Sequence, residues 1–368
     1  MWLIIVGIIL FFIIGLYYKI NSDAPKITKN DNKRIINKPA GTAYIFAKAI
    51  AKSVMGKKTK SIIMPDVNFI QKNISLNATN VSKYRKICGF SQDSNEVPLS
   101  YPYLIIFPIQ SLLLIDPSFP FPAMGIIHLA NNIQQFKIIN IDTIVTASVR
   151  FDSIVLPHAK GYVFNVISEI YESDGTTLMW RSTSTYLYRT RVSKDVDATT
   201  LYESKIKTED VDTCKEIKSY KCPVGFGLKY AAISGDYNPI HLYALTAKMF
   251  GFPRGAIVHG MWSNGTCVAA LMPALETMKS SKATTKNSDT SAFAEIYVEF
   301  KMPMYMPATG VLTSRIDGDT TTKDTTQLPL VNTNAIGSHK EIFQIEMKKS
   351  AKSADMVPHV RGYLSYNA

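Results

Sequence analysis

The sequence predicts an α+β protein of two related halves behind an apolar N-terminal helix. Each half is expected to wrap a bent antiparallel sheet around one central helix. Three observations carry this. A Tyr-x5-Phe/Asp pattern occurs twice, as Tyr84-Arg85-Lys86-Ile87-Cys88-Gly89-Phe90 and Tyr230-Ala231-Ala232-Ile233-Ser234-Gly235-Asp236. Each copy is followed by a long apolar run, 99–115 and 258–275. Alternating β-rich segments then complete each copy.

Residues 1–20 are read as a transmembrane anchor. Residues 2–18 carry no charge, and as a helix they rise about 25 Å, near the short limit for a membrane span. Tyr17 and Tyr18 fall where an interfacial aromatic belt lies, and Lys19, Lys26, Lys29, Lys33, Arg34 and Lys38 follow. The positive-inside rule puts the remainder of this single-pass chain in the cytosol. Residues 21–40, polar and rich in Lys and Asn with Pro25 and Pro39, read as a linker.

The first half is assigned 41–200 and the second 201–368. In each, the apolar run is the expected central helix, whose stripe the inner face of the sheet buries. Strands are expected over 125–133, 144–153, 162–171 and 180–189 in the first half. In the second they are expected over 293–300 and 342–347. The polar stretches 279–291 and 318–328 read as exposed loops.

The chain of 368 residues is 46% hydrophobic and 19% charged, enough for a sizeable core. Its net charge of +12 favours anionic partners. No nucleic-acid motif is present and the lysines are scattered, so nucleic acid is not an expected partner. The four cysteines, 88, 214, 222 and 267, have no Cys-x-x-Cys pair and no zinc-ligand spacing. Free thiols are expected, with a 214–222 disulfide as the alternative.

The richest segment runs from 230 to 262. Asp236 stands five residues before His241 across a turn built by Asn238 and Pro239. Eighteen residues on, His259-Gly260 opens the second apolar run. A carboxylate, an imidazole and a helix N-terminus are the parts that move a proton beside a polarised carbonyl. Taken singly, Asp236 also fits an Asx turn, and His241 and His259 fit structural histidines.

The segment Ser-Gly-Asp-Tyr-Asn-Pro-Ile-His followed by Gly-Phe-Pro-Arg-Gly-Ala-Ile-Val-His-Gly-Met resembles the hydratase signature of MaoC-like proteins. These are double hot-dog (R)-specific enoyl-thioester hydratases and dehydratases. The resemblance spans about residues 41–368 and is strongest over 223–262. It implies that Asp236 and His241 share the catalytic water, and that the Gly260 N–H holds the thioester carbonyl. Asn238 and His259 are implied to complete the site. The implied substrate is an acyl-CoA or acyl-carrier-protein thioester, with CoA or phosphopantetheine arriving as part of it. No metal and no redox cofactor are expected, and a homodimer is an expected assembly. In the first half Phe90 replaces the acid and no His-Gly opens the run, so that half is expected to cap the site and shape an acyl tunnel. One departure follows the motif: His241-Leu242-Tyr243-Ala244 lacks an acidic helix-capping residue. A non-catalytic thioester or lipid binder and an acyl thioesterase remain as alternative functions.

Overall fold

The computed structural model describes residues 15, 18–55, 62–191, 202–206, 211, 214–282, 294–317, 339–348 and 355–366. The strands are β1 (Lys26–Asn30), β2 (Lys33–Lys38), β3 (Asn68–Ser75), β4 (Ile127–Gln135), β5 (Ile144–His158), β6 (Gly161–Glu172), β7 (Leu178–Arg189), β8 (Lys215–Cys222), β9 (Ala294–Phe300), β10 (Ala308–Asp317), β11 (His339–Lys348) and β12 (Met356–Tyr366). The helices that bear on the site are α1 (Thr42–Met55), α2 (Ala78–Cys88), α3 (Pro102–Ile115), α4 (Phe226–Ser234), α5 (Pro239–Leu242), α6 (Ala244–Met249) and α7 (Gly260–Lys282).

One sheet runs through the molecule in the order β1-β2-β3-β5-β6-β7-β4-β9-β12-β11-β10-β8. From β3 onward the order repeats itself in reverse about the β4–β9 seam. Each half supplies a strand, a short helix, a central helix and four more strands, placed alike. At the seam equivalent strands pair antiparallel, with Ile133 opposite Ile296 and Asn131 opposite Val298. This is the self-complementary contact that a two-fold relation between equal units requires.

The repeated Tyr pattern maps onto equivalent helix ends. α2 closes on Gly89 (φ 89°) and α4 on Gly235 (φ 75°), both left-handed, where an L side chain is strained. Tyr84 and Tyr230 are fully buried above these caps. The central helices follow the apolar runs. α3 starts at Pro102, whose missing N–H is harmless at a first turn, and packs on β3, β5 and β6. α7 packs on β9 and β12. Two indoles tie the layers together: Trp180 Nε1 donates to Leu99 O at 2.8 Å, and Trp262 Nε1 to Ile87 O at 2.9 Å.

Residues 21–40, expected as a linker, contain a hairpin that extends the sheet. β1 and β2 turn at Asp31-Asn32, with Asp31 at φ 49°, and β2 runs parallel to β3 with Ile35 opposite Ile70. The Lys and Asn content reflects the solvent side of an edge hairpin, and Ile36 alone is drawn fully into the core.

Among the described residues no helix is long and apolar enough to cross a membrane. Apart from Gly15 and Tyr18, the apolar run 2–18 lies outside the described residues. The loops expected at 279–291 and 318–328 lie largely or wholly outside them as well. None of the four cysteines is disulfide-bonded, so the 214–222 disulfide does not form.

Candidate active site

Two turns of the second half build the site. The first follows the Gly235 cap. The Asp236 N–H donates to Ser234 Oγ at 3.2 Å, and Asp236 Oδ1 accepts the Asn238 N–H at 3.1 Å. Asn238 caps α5 by accepting the Ile240 N–H at 3.4 Å, and Pro239 fills the first helical position. These bonds commit one carboxylate oxygen of Asp236 to its turn and leave Oδ2 available. His241 rides on α5, and its carbonyl lies so close to α4 that a Cβ at Gly227 would sit 1.8 Å from it. Only glycine permits that approach. Tyr243 then leads into α6 with no side-chain cap, as the absent acidic residue implied.

The second turn, Ala256–His259, is pinned on both sides. Ile257 N–H donates to Ile240 O at 3.0 Å, and Val258 N–H to Met304 O at 2.8 Å. His241 Nδ1 donates to Ile257 O at 2.9 Å, which leaves Nε2 with its lone pair in the neutral ring. His259 Nε2 donates to the Asp236 backbone carbonyl at 3.0 Å. The two imidazoles stack at 3.9 Å with their planes 25° apart, and Tyr230 backs His259 at 4.8 Å.

Electrostatics keep both imidazoles neutral. Burial lowers the pKa of His241, opposed by the nearby Asp236 carboxylate. Burial also drives His259 well down, helped by the proximity of His241. Asp236 moves the other way: desolvation raises it, and the His241 charge opposes that rise. Its side chain remains 22% exposed, while that of His259 is 2% exposed. The acid is therefore the more accessible of the two.

A carboxylate oxygen of Asp236 and ring nitrogens of His241 and His259 all lie within 4.8 Å of one another. These are the candidate ligands for a cation among the described residues. One nitrogen of each ring is hydrogen-bonded to a backbone carbonyl, which leaves the other nitrogen of each for substrate, water or an ion.

Gly260 opens α7, and its N–H belongs to the first turn, where no helical carbonyl satisfies it. A Cβ there would meet the Phe300 ring at 2.7 Å. From Phe300 an aromatic wall passes into the first half: His128 lies 4.9 Å from Phe300 and 4.7 Å from Tyr186, and Tyr103 stands 6.3 Å from His128. Burial above all raises the pKa of the Tyr103 and Tyr186 hydroxyls, and the Asp236 charge adds to both shifts. The sequence reading brought out none of Tyr103, Tyr186 and Phe300 as site residues. Their spacing is that of ordinary core positions, and nothing local distinguishes them.

The fold is of the hot-dog type, and part of the second half resembles a MaoC-like domain. Residues 223–334 match the family model described as MaoC like domain, a segment that holds both turns of the site. The chain is 29% identical over 256 residues to 3-hydroxyacyl-thioester dehydratase X of Mycobacterium tuberculosis, covering 69% of this chain and 82% of that protein. A crystal structure of that dehydratase, HtdX, superposes with a TM-score of 0.56 at 24% identity, over 80% of this chain and 98% of that one. A MaoC-like dehydratase from Phytophthora capsici superposes with a TM-score of 0.54 at 18% identity, over 83% and 96% of the two chains.

Proposed function

We propose that the protein is a hydro-lyase that adds water to a trans-2-enoyl thioester, or removes it from an (R)-3-hydroxyacyl thioester. One observation carries the reading: a carboxylate oxygen of Asp236 and a ring nitrogen of His241 lie within 4.8 Å, a gap that one water spans with two hydrogen bonds. In hydration the neutral His241 takes a proton from that water as its oxygen bonds to Cβ. Asp236 orients the water, and the pair returns a proton to Cα. The electron pair of the double bond passes through Cα toward the thioester carbonyl, and the Gly260 N–H receives the developing oxyanion. Dehydration runs the same steps in reverse. Asn238 holds the Asp236 turn, and His259 holds the imidazole stack.

The substrate arm is CoA or phosphopantetheine, and the net charge of +12 favours such phosphate-bearing or acidic carriers. The charge-free run 2–18 and the lysines after it support an anchor that leaves the catalytic body on the cytosolic side. Membrane fractionation of the chain with and without residues 1–20 tests that placement.

The function is tested by following the enoyl-thioester absorbance band with crotonyl-CoA. Loss of the band, an (R)-3-hydroxy product, and failure of Asp236→Asn to form it support the reading. Release of free thiol with the acyl chain unhydrated would make the protein a thioesterase instead.

A further inference from the structure

The first half buries a polar cluster that the proposed chemistry does not use. Gln110 of α3 is 1% exposed, and its Nε2 donates to Ser168 Oγ at 2.9 Å and Ser184 Oγ at 3.2 Å. Asn131 Nδ2 reaches Ser182 Oγ at 2.8 Å and Ser184 Oγ at 3.0 Å. With its amide nitrogen committed to the sheet, Gln110 turns Oε1 the other way. There it accepts the hydroxyls of Tyr103 at 3.1 Å and Tyr186 at 3.3 Å. The two phenol oxygens stand 3.4 Å apart. A buried network of this kind resists rearrangement, because moving either phenol strands a polar partner in the core.

The cluster sits between the site and the aromatic core of the first half. In front, the wall Gly260–Phe300–His128 leads to Tyr186. Behind, Phe164 packs on Tyr186 at 5.8 Å, and Phe119, Phe121 and Phe151 pack around Phe164. On the thioester reading, a carbonyl held by the Gly260 N–H would set Cα and Cβ beside Asp236 and His241, and the remaining carbons would follow the wall toward the phenols.

We propose that Tyr103 and Tyr186, braced on Gln110, form the floor of the acyl pocket and restrict the enzyme to short acyl chains. The inference rests on the thioester reading above. It also narrows the sequence-based expectation that the first half shapes an acyl tunnel. An open tunnel tightens binding roughly fourfold for each added methylene it buries. A fixed floor ends that gain once the chain reaches it, and the two phenol oxygens offer a longer chain a polar face.

The test is calorimetric binding of butyryl-, hexanoyl-, octanoyl- and dodecanoyl-CoA to the full chain, below their micelle concentrations, beside turnover of the matching enoyl series. Affinity and kcat/KM are expected to be greatest for the shortest members and to gain nothing beyond them. Tyr186→Ala and Tyr103→Leu are each expected to shift the octanoyl-to-butyryl affinity ratio at least tenfold toward octanoyl. Wild-type affinity that climbs through dodecanoyl overturns the floor, and so does an unchanged ratio in a folded variant. If both variants fail to fold, the wild-type series decides alone. Binding of no acyl-CoA at any length, with no turnover, overturns the thioester reading and the floor with it. Long-chain binding with intact hydratase activity overturns the floor only.

Discussion

The backbone carbonyl of Asp236, and not its carboxylate, accepts the hydrogen bond of the His259 Nε2–H: Nε2 lies 3.0 Å from that carbonyl and 3.9 Å from Oδ2. The carboxylate is thus spared a partner that would hold it away from substrate. Its other oxygen, Oδ1, serves only the Asn238 turn.

Asp236→Asn should therefore separate chemistry from stability. The amide keeps an oxygen for the Asn238 N–H, and the backbone carbonyl for His259 is unchanged. Burial already disfavours the charge. Turnover is expected to fall at least ~100-fold while the melting temperature holds or rises. Steady-state kinetics and calorimetry on the same preparation check both halves of this statement.

His259→Phe keeps a ring in the stack and removes the donor. The Asp236 carbonyl then loses its buried partner, a cost of about 1–3 kcal/mol. Urea unfolding should register that loss. Turnover should fall less than in His241→Ala, because in the proposed chemistry His259 positions the base and does not exchange the proton.

Gly227→Ala places a methyl 1.8 Å from the His241 carbonyl, a backbone atom that cannot rotate away. α5 must shift, and a shift of that size at the base should lower kcat more than it raises KM. Overpacking of this kind costs about 1–3 kcal/mol, readable by calorimetry. An active, fully stable Gly227→Ala would show that α5 is not held where the structure puts it.

Activity should depend on pH through the Asp236–His241 pair. The proposed catalysis uses ionised Asp236 and neutral His241. Burial raises the acid from its ordinary 3.8 and lowers the imidazole from its ordinary 6.5. The acid limb of kcat/KM should thus lie above 3.8, and it reports the pair and not either residue alone. A limb at or below 3.8 would contradict a raised Asp236.

Stability has its own acid limb, to which every buried histidine contributes, and His359 is one that lies outside the proposed chemistry. His359 bonds through Nε2 to Ser263 Oγ at 2.9 Å and through Nδ1 to Met302 O at 2.7 Å, and burial holds its pKa down to about 4. A folded-state pKa below the unfolded 6.5 contributes stability that is whole above 6.5 and lost as pH falls toward 4. The full loss from this one group is about 3 kcal/mol. Urea unfolding at pH 7 and pH 4.5 should show a smaller pH dependence in His359→Asn than in wild type.

What the sequence determined lies close together along the chain. Asp236, Asn238 and His241 share one Gly-capped turn, and His259-Gly260 opens the next apolar run. Turn chemistry and hydrophobic period act over a few residues, so that geometry can be read from the residues themselves. The central helices and the β4, β9 and β11 strands were legible for the same reason. Composition misled at 21–40, where the Lys and Asn of an edge hairpin look like those of a linker.

The tertiary structure decided what joins distant residues. The 3.9 Å stack of His241 on His259 depends on where Ile257 meets Tyr305 and Val258 meets Met304. The delivery of Tyr103 and Tyr186 to a site in the other half depends on the β4–β9 seam. Such contacts rest on strand register across many tens of residues. A slip of one residue would turn every inward side chain outward, and no local pattern in the chain records which partner strand will be met.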